Sequence, residues 1–313
     1  MTHDSRSTAP ISLPQPLSVT QGRWYIVGAA LLWSLSGAFA KILTQPTPLG
    51  LDTPSIDPLL IAFYRAFFAA LVLATTLRRR DFSFRPAMIP MAICFAVMNA
   101  LFVSALAQGT AANAILLQYT APMWMYLASV WWLGEPADRR SSVALAVGLA
   151  GIAILIIGGW QDAQLRVIAI ALGSGITYAG VIVFLRVLRN SSPRWLTVLN
   201  HFMGALVLFP LAWFLPRPTA GQLVCLFFFG AVQMGLPYWL VARGLRSVSP
   251  QEAGTITLLE PLLNPLWAYL VASELPSPFT LVGGAFILGA LLWRYWPGRI
   301  PPFGSLRIRR TRQ

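Results

Sequence analysis

Charged residues are scarce in this chain: they make up 11% of its 313 residues, whereas 57% are hydrophobic. A soluble domain usually carries about 25% charged and 45–50% apolar residues. Lysine is nearly missing too, since Lys41 is the single one. So few charges in a chain of this length are typical of an all-α polytopic membrane protein.

Other absences exclude whole classes of function. The two cysteines lie inside apolar runs and the two histidines, His3 and His201, are far apart in the chain, so no His/Cys metal-ligand motif exists. No Gly-Lys-Ser/Thr loop is present to bind ATP phosphates. The net charge of +13 comes from arginines in short connections and in the tails, which is membrane-topology charge rather than a basic groove. The sequence therefore predicts no metal, no cofactor and no nucleic-acid partner.

Ten apolar runs approach the roughly 20 residues that a helix needs to cross a bilayer. They are 24–43, 57–77, 87–107, 111–133, 142–159, 165–188, 195–215, 220–245, 251–273 and 278–296. We interpret residues 1–22, which contain no apolar run, as a disordered cytoplasmic tail, and residues 297–313 as a basic cytoplasmic tail. If the N-terminus is cytoplasmic, the inner segments hold 19 cations and the outer segments only Lys41, Arg166 and Arg217. The positive-inside rule then predicts a multi-pass protein of the cell inner membrane with both termini in the cytoplasm.

The chain also repeats itself. A shift of 139 residues carries Ala114 to Ala253, Pro122 to Pro261 and Glu135 to Glu274. Ten spans then divide into two sets of five, 24–159 and 165–296. Because five spans is an odd number, the second set must be inverted in the membrane relative to the first.

Several segments resemble the EamA family of the drug/metabolite transporter superfamily. They are ILLQYTAP (115–122) followed by Gly134-Glu135, LLEPLLNPLWAYL (258–270) followed by Glu274, IDPLLIAFYRAFFAALVL (56–73) and ALLWSLSGAFAK (30–41). The resemblance covers about 24–296. It implies ten helices in two inverted five-helix repeats around a central cavity, and secondary transport of small metabolites, often export of amino acids or related compounds. One departure is that Ala121 precedes the proline of the first repeat where Glu260 precedes that of the second.

The ninth predicted span carries a polar stripe. Thr257, Glu260, Asn264 and Trp267 recur every three or four residues and so share one helical face, which should point into the bundle. Glu260 is a deep acid whose insertion cost needs a partner or a proton, and Arg65 in the second span is predicted at a similar depth. The two residues either form a structural ion pair or take part in transport, through substrate contact or titration of Glu260.

Further candidates complete the predicted pathway. Gln118 is a polar side chain in the matching face of the fourth span, where it either contacts substrate or bonds to a neighbouring helix. Pro122, Pro261 and Pro265 remove backbone donors, so they either form a moving gate or shape a static bend. The remaining candidate lining residues are Trp33, Tyr64, Asn99, Tyr119, Tyr178, His201, Tyr238 and Trp239, about half of which we expect to be plain packing.

We interpret the chain as a secondary transporter that moves an amino acid or related small metabolite by alternating access, with export as the expected direction. A multidrug or other organic-solute permease of the same fold is the alternative within transport. A transport-inactive scaffold and a membrane-embedded enzyme are alternatives from other classes. The sequence argues against the enzyme, because one deep carboxylate and one deep histidine do not form the usual catalytic sets. Proton coupling and exchange both stay open, as does the oligomeric state.

Overall fold

The computed structural model describes residues 18–131, 134–160 and 162–296, and within them every regular element is helical. The α-helices, in chain order, are α1 (Val19–Ser34), α2 (Ser36–Thr44), α3 (Pro58–Ala74), α4 (Met88–Gln108), α5 (Ala111–Gln118), α6 (Ala121–Trp131), α7 (Arg139–Gly158), α8 (Asp162–Val187), α9 (Pro193–Phe214), α10 (Ala220–Phe228), α11 (Leu236–Gly244), α12 (Pro250–Thr257), α13 (Leu259–Ala272) and α14 (Pro278–Tyr295). A 3-10 turn covers Arg79–Asp81, and a π-helical segment, Phe229–Gly235, joins α10 to α11.

Seven of these helical stretches are long and apolar enough to cross a membrane. They are Val19–Thr44, Met88–Gln108, Arg139–Gly158, Gln164–Val187, Pro193–Phe214, Ala220–Gly244 and Pro278–Tyr295. The chain is therefore a multi-pass membrane protein. Helix α3 is apolar as well but one turn shorter than a typical span.

The predicted N-terminal tail, residues 1–22, extends too far along the chain, because residues 19–22 are already helical. Ser18 caps α1 by accepting a hydrogen bond from the backbone nitrogen of Gln21, and Gln21 bonds back to Ser18, so the helix begins at Val19. This capping box was overlooked because the apolar run starts only after Arg23. Residues 1–17 and the predicted tail at 297–313 lie outside the described residues.

The predicted fourth and ninth spans are each broken into two helices. Helix α5 ends at Gln118 and α6 begins at Ala121, whereas α12 ends at Thr257 and α13 begins at Leu259. The same shift of 139 residues carries the bounds of α5, Ala111 and Gln118, onto Pro250 and Thr257, the bounds of α12. Each break therefore comes a few residues before a proline, Pro122 or Pro261, whose missing N–H leaves the carbonyl four residues earlier without its helical donor.

Close backbone contact holds the outer helices α7 and α14 together. A Cβ atom on Gly151 would lie 2.7 Å from the carbonyl oxygen of Gly283, and one on Gly283 would lie 2.8 Å from that of Gly151. The π-helical segment approaches α3 in the same way, since a Cβ on Gly230 would lie 2.7 Å from the carbonyl oxygen of Arg65. Small residues thus set how closely the helices around the centre pack.

Candidate functional site

A cavity of about 350 Å³ lies at the centre of the bundle, at the two helix breaks. Eight of the predicted pathway residues line it: Trp33, Arg65, Gln118, Tyr119, Tyr178, Tyr238, Thr257 and Glu260. Pro122, a predicted gating residue, lines it as well. Its wall is completed by residues that include Ser36, Met98, Phe102, Gln233, Met234 and Tyr295. The volume falls within the range of small-molecule sites.

Glu260 is held by a tyrosine from the other half of the chain. The Tyr119 hydroxyl donates to Glu260 Oε2 at 2.7 Å and also lies 3.0 Å from the carbonyl oxygen of Thr257. That carbonyl is the one that Pro261 leaves without its helical donor. Tyr119 lies at the break between α5 and α6, and its hydroxyl contacts residues at the break between α12 and α13. One side chain therefore connects the two interrupted helices.

Arg65 is buried, with 4% of its surface exposed, and yet it has no anionic partner among the described residues. Its Nη2 atom donates to the Met234 sulfur at 3.2 Å, and its guanidinium carbon lies 5.1 Å from the centre of the Phe229 ring. Its Nε and Nη1 atoms make no hydrogen bond. Of the two alternatives for Arg65 and Glu260, the direct ion pair is not formed: both residues line the same cavity, but Tyr119 is the hydrogen-bond partner of Glu260.

Amides and rings provide the rest of the polar surface. Gln118 donates to the Met98 sulfur at 3.2 Å, so its carbonyl oxygen is not committed to that bond. Gln233 donates to the Trp33 carbonyl at 2.8 Å, while its own side-chain oxygen has no partner. Trp33 packs edge-on against Tyr238 with ring centres 5.3 Å apart. Gln233 was missed in the sequence, although a glutamine inside the apolar run 220–245 was a usable signal.

Other predicted residues support the cavity from behind rather than line it. Asn264 donates to Ser36 Oγ at 2.7 Å, and Trp267 donates to Ser34 Oγ at 2.8 Å. These bonds tie α13 to the junction of α1 and α2, and Ser36 itself faces the cavity. The polar stripe of the ninth span thus divides into a cavity-facing part and a helix-bonding part.

The remaining candidate residues do not line the cavity. Asn99 donates to the Ala62 carbonyl at 2.9 Å, and His201 Nδ1 lies 2.8 Å from the Thr197 carbonyl. The His201 ring lies edge-on to the Tyr238 ring, with 5.2 Å between the two ring centres, so His201 lies behind a residue of the cavity wall. Tyr64 packs on Phe63, and Trp239 lies 37% exposed beneath Arg243. Pro261 and Pro265 lie in α13 without lining the cavity.

A buried ion pair lies at one end of the bundle. Lys41 Nζ, at the end of α2, lies 2.7 Å from Glu274 Oε2, with the two side chains 1% and 11% exposed. The other oxygen of Glu274 accepts from the backbone nitrogen of Ala111 at 2.6 Å, and Lys41 also donates to the Gly109 carbonyl at 2.5 Å. This set, which we call the Lys41 cluster, joins α2, α13 and the start of α5.

Two exposed ion pairs lie at the opposite end. Helices α5 and α6 run from Ala111, in the Lys41 cluster, to Trp131. Glu135, which follows α6 in the chain, pairs with Arg186 at the end of α8. Arg23, at the start of α1, pairs with Glu252 of α12 at 2.5 Å. The cavity wall reaches Gly254 and Leu245 near this end but includes no member of the Lys41 cluster. The cavity therefore extends toward the end with the exposed pairs.

Among the described residues, no group of three His, Cys, Asp or Glu side chains comes together as a metal site would require. The site consists instead of one unpaired cation, one hydrogen-bonded acid, two amides and an aromatic wall. A central cavity at broken helices is typical of membrane transporters for small molecules.

Comparison with known proteins agrees with that class. The model of the EamA-like transporter family matches residues 20–157 and again residues 165–296. An uncharacterized transporter from Archaeoglobus fulgidus is 30% identical over 244 residues, which are 76% of this chain and 87% of that protein. The pseudopaline exporter CntI of Pseudomonas aeruginosa is 26% identical over 241 residues, which are 74% and 84% of the two chains. A solved crystal structure, 18% identical, has the same fold with a TM-score of 0.58 and covers 88% of this chain and 98% of its own.

The chain belongs to the EamA-like transporter family. It is accordingly a multi-pass membrane transporter of small molecules, and the family predicted from its sequence motifs is confirmed.

Proposed function

We propose that this protein is a secondary transporter that exports an amino acid or related small metabolite across the cell inner membrane by alternating access. The observation that carries the proposal is the central cavity, whose wall takes Trp33 and Arg65 from the first half of the chain and Tyr178 and Glu260 from the second. A buried cation and a partly buried acid inside apolar spans are costly, and such groups usually mark a transport pathway.

The topology that we propose has ten spans. The seven long helices are joined by α3 and by the two broken pairs, α5–α6 and α12–α13. The matching of the two breaks at a shift of 139 residues supports a duplicated five-span unit, and an odd number of spans makes the two copies inverted. The arginine bias then places both termini in the cytoplasm and the Lys41 cluster on the outer side.

The ion pairs support an alternating mechanism. Lys41 and Arg186 are 145 residues apart, as are Trp33 and Tyr178 of the cavity wall, and Glu135 and Glu274 are 139 apart. Each acid pairs with a cation from the other half of the chain. The two pairs therefore occupy equivalent places at opposite ends, one buried and one exposed. We infer that the described state is closed outside and open inward, and that the reverse state exchanges these environments.

The direction of transport and the substrate class are inferred from a relative and from the cavity wall. The relative from Pseudomonas aeruginosa is named as an exporter, which favours export here. The aromatic and methionine wall also suits apolar organic solutes, so a multidrug permease is the second candidate. Either a proton gradient or counter-exchange would supply the energy, with Glu260 as the proposed proton-binding group.

Liposomes test this function directly. Purified protein would be reconstituted and loaded with radiolabelled amino acids, nucleosides or amphipathic amines, and efflux would be measured with and without a proton gradient. We expect saturable efflux of at least one amino-acid-like solute, and none from liposomes with a Glu260→Gln protein. Efflux of amphipathic amines alone would favour the multidrug permease. The absence of efflux for every solute, in either orientation of the gradient, would contradict transport.

A further inference from the structure

We infer that the transported molecule carries a carboxylate that binds Arg65, an inference that rests on the proposed function. Arg65 is the cation of the cavity wall, and no carboxylate or carbonyl oxygen of the described residues accepts a hydrogen bond from its side chain. A buried guanidinium left with a thioether as its sole hydrogen-bond acceptor is poorly compensated, because sulfur is a weak acceptor and charge is costly to bury unpaired. A ligand that brought an anion would complete this site.

The guanidinium is held in place before any ligand arrives. Two aromatic rings flank it, with its central carbon 5.5 Å from the centre of Phe102 and 5.1 Å from that of Phe229. Behind it, the backbone of α3 is fixed by close contact with Gly230 of the π-helical segment. Rings that stack on an arginine leave the edge of its planar fork free, and that edge matches the two oxygens of a carboxylate.

The acid of the cavity has a different partner. The Tyr119 hydroxyl donates to Glu260 Oε2, and no carboxylate of the described residues lies within ion-pair distance of Arg65. The cavity wall also contains apolar groups, including Met98, Phe102 and Met234. This arrangement fits a molecule with a carboxylate at one end, an apolar body, and a donor group such as an ammonium facing Glu260.

A carboxylate fits better than a phosphate. Phosphate sites generally combine several cations or a row of backbone N–H groups. Arg65 is the one cation in the described cavity wall, which contains neither lysine nor histidine. A single planar fork provides two parallel hydrogen bonds, which a carboxylate uses fully.

The test compares acids with amides of the same shape. Thermal stability of the detergent-purified protein would be titrated with acetate, 3-phenylpropanoate and L-phenylalanine, each against its own amide, and with inorganic phosphate. We expect at least one acid to bind about tenfold or more tightly than its amide, as a charge-assisted pair of hydrogen bonds implies. The preference should vanish in Arg65→Gln, weaken in Arg65→Lys, and survive in Arg243→Gln, a matched change of an exposed arginine outside the cavity wall.

Each outcome decides the inference. Equal binding of every acid and its amide to the unaltered protein overturns it, without depending on the folding of a variant. An acid preference that persists in Arg65→Gln, or a response to phosphate alone, overturns it as well. Solute efflux from liposomes that is unaffected by Arg65→Gln would reject the carboxylate site and leave transport standing. Acid binding without efflux of any solute would reject transport and leave the site standing.

Discussion

Lys41 and Glu274 form an ion pair at 2.7 Å in which the lysine is almost wholly buried, and the second oxygen of Glu274 is bonded to the backbone of Ala111. The pair thus joins helices from both halves of the chain at one end of the bundle. Its equivalent at the other end, Arg186 with Glu135, has side chains that are 50% and 33% exposed. The two ion pairs are equivalent in position but differ in exposure. This difference is expected if the bundle is closed at the Lys41 end and open at the Arg186 end.

Breaking the buried pair should be costly, whereas breaking the exposed pair should not. We expect Lys41→Met to lower stability by about 3–5 kcal/mol, because it strands a buried carboxylate. Glu135→Gln should cost less than about 1 kcal/mol, as for exposed pairs generally. Thermal unfolding in detergent measures both, and a Lys41→Met/Glu274→Met double variant should recover much of the loss. Equal losses at the two ends would contradict the assignment of a closed and an open end.

The same variants should change access to the cavity. Ile182 lines the wall, and a cysteine placed there, with Cys94 and Cys225 changed to alanine, reports which side is open. We expect an impermeant maleimide to label it from the cytoplasmic side in the parent protein. In Lys41→Met, labelling from the outer side should rise severalfold, because the ion pair that holds the outer end closed is lost. Labelling from the outer side at the same rate in both proteins would argue against the Lys41 cluster as a gate.

The sequence predicted the helices well because bilayer thickness sets their length. The run expected at 195–215 is observed as Pro193–Phe214, and the run at 278–296 as Pro278–Tyr295. What the hydropathy of the run 111–133 could not predict was its break after Gln118, since the apolar character continues through it. Pro122 indicated that the helix would be irregular at this point, but not that the helix would be interrupted before the proline.

The site was predicted less completely because depth along a helix does not determine which neighbour a side chain meets. Arg65 and Glu260 were expected at a similar depth, and both line the cavity. A direct ion pair was one of two alternatives for them, and Glu260 instead accepts from Tyr119, which follows α5. Asn264 and Trp267 share a helical face with Glu260, yet they bond to serines of the first span. Such partners depend on helix packing, which a single sequence does not reveal.

Glu260 and Tyr119 should act as a unit in transport. We expect Glu260→Gln to abolish efflux while leaving membrane expression intact, because the amide cannot take up a proton or balance a cationic group of the solute. Tyr119→Phe removes the donor to Glu260 and to the Thr257 carbonyl, and efflux should fall tenfold or more. The double variant should be no worse than Glu260→Gln alone. Unchanged efflux in Glu260→Gln would remove this acid from the mechanism.

The helix break before Pro261 should be needed for movement. Pro261→Ala returns an N–H that can donate to the Thr257 carbonyl, so it competes with Tyr119 and favours a continuous helix. We expect a severalfold lower maximal rate of efflux with little change in the solute concentration for half-maximal rate. Pro265→Ala is the matched control, because Pro265 lies within the unbroken part of α13. Equal effects of the two changes would indicate that the prolines only shape a static helix.

The contact between α7 and α14 depends on two glycines, and a third glycine provides its control. Gly151 and Gly283 face each other so closely that a Cβ on either would press on the other's backbone, whereas a Cβ on Gly289, also in α14, would meet nothing within 4 Å. We expect Gly283→Leu to cost at least about 1–3 kcal/mol, the usual penalty of overpacking, because the facing group is backbone and cannot rotate away. Gly289→Leu should change thermal stability little, since its side chain has room. If both variants unfold at the same temperature, these helices do not pack through the glycine pair. If only Gly283→Leu is destabilised and efflux by its folded fraction is normal, α7 and α14 brace the bundle without taking part in the transport cycle.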